Sequence, residues 1–255
     1  STAFLRNTNI MVFYSHRICT EGVWDSTLPN ISFDENGVSN YRYLYTALTK
    51  AFPRGKKGQD KWDEIVRGIK KNNRGGNYDC IVGISGGTDS SYLLHLCKKY
   101  NLKALAVNLD NGWNSETAVS NIRKMTTALD IDLETYIIDY DEVKEILKAH
   151  LKSCIPWVDN PTDQAINAIL YKIAEREGVK FILVGTDFRS EGKQPSEWTY
   201  GDAKQLKYIL RVFGKRTRVK SFPIMTIKNY FVYGFLKKIK KVYPYNYLEY
   251  NKNEA

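Results

Sequence analysis

The chain has 255 residues, a formal net charge of +10 and a mean hydropathy of −0.44. These values describe a soluble globular protein with one large core, or one core plus a small appendage. No apolar run approaches the ~20 residues that span a bilayer, and four dispersed cysteines exclude a disulfide scaffold.

Residues 1–14 lack the long apolar stretch and the small-residue cleavage site of a signal peptide. Met11-Val12-Phe13 reads as a natural start, so residues 1–10 are expected to be an addition to the native chain. A cytoplasmic setting is the expectation. Residues 16–45 read as a small appendage. Residues 30–33 and 38–41 predict two strands around Asp34-Glu35-Asn36-Gly37, because Asn-Gly is a strong hairpin signal. Residues 46–78 predict a helix, a basic loop at 54–58 and a second helix around 62–70. Asn72-Asn73-Arg74-Gly75-Gly76 is polar and turn-rich, which places the domain boundary there: an appendage over 1–76 and the main domain over 77–255.

The main domain opens on Cys80-Ile81-Val82-Gly83-Ile84, the pattern of a buried parallel strand. Ser85-Gly86-Gly87-Thr88 cannot continue it. Asp89-Ser90-Ser91 predicts a helix start with capping chemistry, and Tyr92, Leu93, Leu94, Leu96 and Cys97 its apolar face. A strand, a glycine turn and a helix N-terminus concentrate backbone N–H groups and helix dipole at one point, and phosphate is the fitting guest. Strands are then predicted at 103–109, 132–138 and 180–184, and helices at 115–129, 141–152 and 162–177. That alternation argues an α/β, doubly wound parallel sheet, with ligands outside the strand C-termini at Ser85, Asp110, Asp139 and Gly185. Residues 203–213 predict a basic helix and 227–241 another, in which Tyr230, Phe231, Tyr233 and Phe235 read as core or oligomer contacts. Residues 251–255 resemble a helix beginning. Between Ala203 and Lys241 there are twelve Lys or Arg and no Asp or Glu, a surface that attracts anions. Cys80 and Cys97 read as inert core thiols, and His95 as packed mid-helix.

The loop at 85–90 has neither the Gly-Lys-Ser/Thr of a Walker A loop nor G-x-G-x-x-G. Ser-Gly-Gly-Thr-Asp-Ser resembles the PP-loop of the N-type ATP pyrophosphatases. The resemblance implies the adenine nucleotide α-hydrolase-like fold and cleavage of ATP between its α- and β-phosphates. It puts Ser85, Gly86, Gly87, Thr88 and Ser90 on pyrophosphate and Asp89 on Mg2+. It also brings Asp110, in Asp110-Asn111-Gly112-Trp113, near the adenosine; a plain Asn-Gly turn is the alternative. Gly185-Thr186-Asp187-Phe188-Arg189-Ser190-Glu191 resembles the Gly-Thr-x-x-Lys-Ser-Glu segment of ammonia-dependent NAD synthetases. That likeness implies Gly185 and Thr186 beside ATP, Glu191 on Mg2+ and Asp187 as a further carboxylate for the metal. Asp89 and Glu191 are thus the expected catalytic pair.

A second resemblance runs through Arg17-Ile18-Cys19-Thr20-Glu21-Gly22-Val23-Trp24 and Ile31-Ser32-Phe33-Asp34-Glu35-Asn36-Gly37-Val38. It is similar to the opening of the N-acetyl sugar amidotransferases, a PP-loop family that also carries a glutamate, Pro and Trp at the spacing of Glu191, Pro195 and Trp198, and an Asp-Gln like Asp163-Gln164. Those enzymes use two C-x-x-C pairs near the hairpin, spaced for structural zinc. Here the four positions are Cys19, Gly22, Ser39 and Arg42, so no zinc is expected, and the hairpin should rely on Trp24, Phe33 and Tyr41.

The amidotransferase resemblance implies adenylation of the acetamido oxygen of a UDP-linked N-acetyl sugar, then attack by ammonia to give an acetamidino group, for bacterial surface polysaccharide such as O-antigen. No His–Cys motif suggests a glutaminase, so ammonia would come from separate glutaminase and cyclase-like subunits. Membrane and nucleic acid are not expected partners, and a homo-oligomer is left open. The competing functions are an ammonia-dependent NAD synthetase, a tRNA-modifying PP-loop enzyme favoured by the basic C-terminal stretch, and a non-enzymatic module.

Overall fold

The computed structural model describes residues 16–73, 75–193, 195–215 and 219–252. Two compact units divide the chain, Ser1–Thr49 and Lys50–Ala255. Residues 1–10, read as an addition, lie outside the described part.

In the first unit, the two expected strands reduce to single bridges, Ile18–Asp25 and Phe33–Ser39. The turn itself forms as read. Asp34 Oδ1 accepts the N–H groups of Asn36 and Val38 at 3.0 and 2.8 Å, and Gly37 takes φ +80°. The second strand is lost because Ser39 starts a helix instead. Its hydroxyl accepts the Arg42 N–H at 3.3 Å, and α1 runs Asn40–Ala51. The buried Cys19 accepts the Ser39 N–H through Sγ at 3.2 Å. Trp24 covers Gly22 so closely that a Cβ there would lie 2.3 Å from its ring. Trp24 also stacks on Tyr41, centroids 6.1 Å apart. Arg42 pairs with Glu21 at 2.9 Å, and Phe33 packs under the Arg17 guanidinium.

The second unit begins before the expected boundary. Its first helix, α2 (Gly55–Asn72), absorbs the supposed basic loop into its first turn. Trp62, Val66 and Ile69 from this helix belong to the same core as the central strand, so the expected boundary at 72–76 falls inside one unit. Gly58 makes the close approach possible: a Cβ there would sit 2.3 Å from the Tyr247 carbonyl oxygen and 2.4 Å from that of Pro53. Both obstacles are backbone, so Gly58→Ala is expected to cost about 1–3 kcal/mol, read as a lower denaturant midpoint.

The sheet has five parallel strands in the order β3-β2-β1-β4-β5. These are β1 Cys80–Ile84, β2 Ala104–Asp110, β3 Asp132–Ile137, β4 Phe181–Leu183 and β5 Lys240–Val242. Cys80, Val82 and Ile84 pack with α2 and with α3 (Thr88–Lys99) and α4 (Glu116–Leu129) on one face. Ile81 packs on the other face against α6 (Asn160–Arg176). This two-sided burial is the doubly wound arrangement, and the one-residue alternation of β1 produces it. A third apolar cluster joins α5 (Tyr140–Ser153) to α9 (Ala203–Phe213). Short helices α7 (Phe188–Glu191) and α8 (Ser196–Thr199) follow β4.

The largest departure from expectation is at 227–241. The helix α10 (Ile227–Tyr230) passes into a π-helical turn, Phe231–Leu236, and stops. Lys238 takes φ +56° and Ile239 is buried, after which Lys240–Val242 pairs with β4 as the fifth strand. An open edge on β4 offers backbone partners that a helix ending in four lysines cannot match. Tyr233 stacks on Tyr171, whereas Phe231 and Phe235 are exposed. Asn251 and Lys252 are not helical, and 253–255 lie outside the described residues. No helix among the described residues is long and apolar enough to cross a membrane.

One buried carboxylate ties α5 to the segment after α9. Glu142 accepts the N–H groups of Lys220, Ser221 and Phe222 and the Ser221 hydroxyl. Burial works to raise its carboxyl, but these donors outweigh it and hold the carboxyl below the usual carboxylate range. A depressed folded value means that this stabilisation is present above the unfolded pKa of about 4.3 and is lost as pH falls through the folded value. Glu142→Ala, which strands three N–H groups, is expected to cost about 3 kcal/mol at pH 7. The deficit relative to wild type should shrink in acid, as denaturant titrations across pH can check.

Candidate active site

The chain turns from one side of β1 to the other between β3 and β4, so the C-termini of β1 and β4 meet at a topological switch point, where open α/β sheets bind ligands. The loops that follow them are 85–90 and 185–191.

After β1 the backbone folds into a tight cradle. Gly86 takes φ +76°, and a Cβ there would lie 2.5 Å from the Ala118 carbonyl oxygen of α4. Asn121 reaches the Gly86 carbonyl from the same helix at 3.4 Å. The capping expected of residues 89–91 does not occur. Gly87 is the N-cap of α3 and has no side-chain cap. The Ser90 hydroxyl instead turns back, donating to the Gly87 carbonyl at 3.1 Å and accepting the Ser85 N–H at 3.2 Å. Ser85 Oγ lies 3.3 Å from Ser90 Oγ. Ser85, Gly87 and Thr88 are exposed, so uncapped N–H groups at a helix start face the open end of the sheet.

Asp89 stands half-exposed on the first turn of α3. One carboxylate oxygen accepts the Tyr250 hydroxyl and the other pairs with Lys252 at 3.1 Å. Its carbonyl accepts the Tyr245 hydroxyl at 2.5 Å. Burial works to raise its carboxyl, but Tyr250 and Lys252 bring it below the usual value. Gly185 is the point of contact between the two loops, where a Cβ would approach the Asp89 carbonyl oxygen to 3.2 Å. Thr186 is exposed beside it.

Glu191 completes the opposite wall. Burial, helped by the negative charges of Asp187 and Asp89, pushes its carboxyl above the usual range against a backbone hydrogen bond at Asp187 and a weaker pull from Lys193. Asp89 and Glu191, which repel one another, are oxygen ligands of the kind a hard divalent cation takes beside phosphate oxygens. Among the described residues no group of three or more His, Cys, Asp or Glu is placed to hold a metal alone.

Asp187, expected as a further metal ligand, is placed otherwise. It is 4% exposed. It pairs with Arg54 at 2.8 Å and accepts the Arg189 N–H at 3.2 Å. Arg54 and Arg189 also bond the carbonyls of Tyr245 and Asn246. With its charge matched and its oxygens occupied, Asp187 ties the C-terminal tyrosine segment to residues 52–54.

Asp110 ends β2. Its Oδ1 accepts the Gly112 N–H at 2.9 Å, Asn111 accepts the Trp113 N–H at 3.0 Å, and Gly112 takes φ +80° against Tyr140. The expected turn is therefore present, with Trp113 exposed over Tyr140.

Several neighbours of the site carry no role from the sequence beyond the Asp-Gln likeness noted at Asp163. Asp159, the N-cap of α6, makes no side-chain cap. Asp163 is raised to about 6 by burial, then by Asp159 and Glu191 against Lys241. Lys241, pushed down by burial, reaches Asn167. Lys241, Tyr245, Tyr250 and Lys252 were hidden because the stretch around 241 reads as helix and the last turn carries no motif.

The family profile described as NAD synthase matches residues 61–219. The chain belongs to the NAD synthase family. The matched stretch holds both loops of the site and stops before β5. At this level the PP-loop assignment stands; the finer likeness to sugar amidotransferases is no part of the match. An uncharacterised protein of Methanocaldococcus jannaschii is 30% identical over 142 residues, 54% of this chain and 48% of that protein. The chain thus spans about half the length of the curated relative it matches. Among solved structures, NMN synthetase from Francisella tularensis superposes with a TM-score of 0.40 at 14% identity, over 61% of this chain and 70% of the other. The NH3-dependent NAD synthetase from Campylobacter jejuni gives 0.39 at 13%, over 60% and 72%.

Proposed function

We propose that this chain is an ATP-dependent, AMP- and pyrophosphate-forming C–N ligase. The finer reading is an amidotransferase that turns the acetamido group of a UDP-linked sugar, such as an acetamido uronic acid, into an acetamidino group. The observation that carries the ligase reading is the uncapped amide cradle of residues 85–90 set against Asp89 and Glu191 at the switch point. The N-terminal resemblance favours the sugar; the family favours an ammonia-dependent NAD synthetase as the second reading.

An amide carbon is a poor electrophile. Its oxygen forms a bond to the α-phosphorus of ATP while the α–β P–O bond breaks and pyrophosphate leaves with the electron pair. Ammonia then forms the C–N bond, the C–O bond breaks to release AMP, and nitrogen loses a proton to water. The cradle amides and the α3 dipole hold the departing pyrophosphate, with Ser85, Thr88 and Ser90 hydroxyls beside them. Asp89 and Glu191 would hold Mg2+, whose charge offsets that of the leaving group. Asp89 must release Lys252 to do so.

We infer that ammonia comes from outside this chain, from glutaminase and cyclase-like subunits. His16 lies 3.4 Å from Asp25. His150 is buried with Nδ1 on the Ile146 carbonyl. His95, expected to be packed, is exposed and stacked on Tyr92. None of these contacts involves a cysteine. Cys80 and Cys97 are fully buried, and their mutual hydrogen bond and burial raise Cys80 well above the usual thiol range.

The test is pyrophosphate release from ATP with ammonium, offered UDP-linked acetamido uronic acids, nicotinic acid adenine dinucleotide and tRNA in turn. Release with the sugar and ammonium, and none with glutamine alone, is the expected result. Release only with the dinucleotide establishes the NAD synthetase, and release with none removes the ligase reading.

A further inference from the structure

A cavity of about 570 Å³ opens beside Glu191. Trp157, from the loop before α6, lines one part of it. Lys193, from the segment joining α7 to α8, and Trp198 and Thr199, from α8 itself, line another. No cradle residue lines it. The volume lies within the usual range for small-molecule sites. The two sides are held together at Gly201, where a Cβ would fall within 2.0 Å of the buried Asn160 side chain at the start of α6. Trp157 is half-buried and Trp198 is 38% exposed, so both indoles offer ring area to a ligand. Lys193 is the one cation lining the cavity among the described residues.

We propose that this cavity is the acceptor subsite, and that its ligand is a ring-bearing acceptor carrying a carboxylate or phosphate. The proposal rests on the ligase reading and deepens it. Indoles take the less polar face of a sugar or pyridine ring, and Lys193 matches one anionic group. Glu191 lines this cavity and ends the loop that begins at Gly185 against the Asp89 carbonyl, so an acceptor seated here would bring its reactive oxygen to the loop edge that the nucleotide shares. Trp157, Lys193 and Trp198 are then binding residues that set specificity, and the reacting atoms meet beside Glu191.

The experiment measures calorimetric binding and KM for UDP-N-acetylglucosamine, its 6-carboxylate and nicotinic acid adenine dinucleotide, with ATP affinity measured separately. Trp157→Ala and Trp198→Ala are expected to weaken acceptor binding about tenfold each and leave ATP affinity unchanged. Trp198→Phe should retain most of the affinity. Lys193→Ala should abolish the preference for the carboxylate sugar over its neutral parent. Unchanged acceptor binding in both tryptophan variants, or no acceptor binding by wild type, overturns the subsite. Intact, tryptophan-dependent acceptor binding without pyrophosphate release supports the subsite and defeats the ligase reading instead.

Discussion

Asp89→Asn is expected to lower ATP-dependent pyrophosphate release by about 10²–10³-fold, the usual scale for removing one preorganised electrostatic partner. Stability should barely change, because the side chain is half-exposed and asparagine can still accept the Tyr250 hydroxyl. Asp187→Asn should behave in the opposite way. That carboxylate is 4% exposed and paired with Arg54, so its loss leaves a guanidinium without its partner and costs about 3 kcal/mol. Near-normal release by Asp187→Asn measured well below its lowered Tm would mark it as structural. Full release by Asp89→Asn would remove that residue from metal and pyrophosphate alike.

The second large effect belongs to Gly86→Ala. Two independent obstacles meet at this residue: a φ of +76°, which L side chains rarely adopt, and the Ala118 carbonyl oxygen 2.5 Å from the added Cβ. The loop and α4 must separate, so ATP-dependent release should fall to background and the folded state should lose about 1–3 kcal/mol. Gly87→Ala is the control. Its φ is −84°, and the nearest obstacle to a Cβ is the Ser85 hydroxyl oxygen at 3.5 Å. It should fold normally, so its effect on release tests the proposed contact between bare backbone and the phosphates. Equal stability of the two variants in chemical denaturation would refute the steric account.

Much of this arrangement was legible in the residues. The alternation of β1 to β4 with intervening helices is written in apolar runs and turn residues, and the helix 203–213 begins and ends where its pattern says. The tight turn at 85–88 was readable because glycine at 86 is a backbone requirement visible in one letter. What failed shares a cause. Val38 to Tyr41 and Lys240 to Val242 are too short for periodicity to decide their state. Each was settled by a partner distant in sequence, Cys19 for the first and β4 for the second. Asp187 looked like a ligand because its motif sits at the sheet edge. Only the structure brings Arg54, more than 100 residues away, onto its carboxylate. Lys252 was missed for the same reason, lying far along the chain from the Asp89 it meets.

The position of β5 also bears on how the molecule is made. Strand β4 is complete once residue 183 leaves the ribosome, yet its outer edge gains its neighbour only when residues 240–242 emerge. For the length of that delay a nascent chain carries a hydrophobic strand with unpaired amides, the kind of surface that recruits other strands. Slower translation across 184–239 should therefore lower the soluble yield, and a ribosome-bound chaperone should restore it.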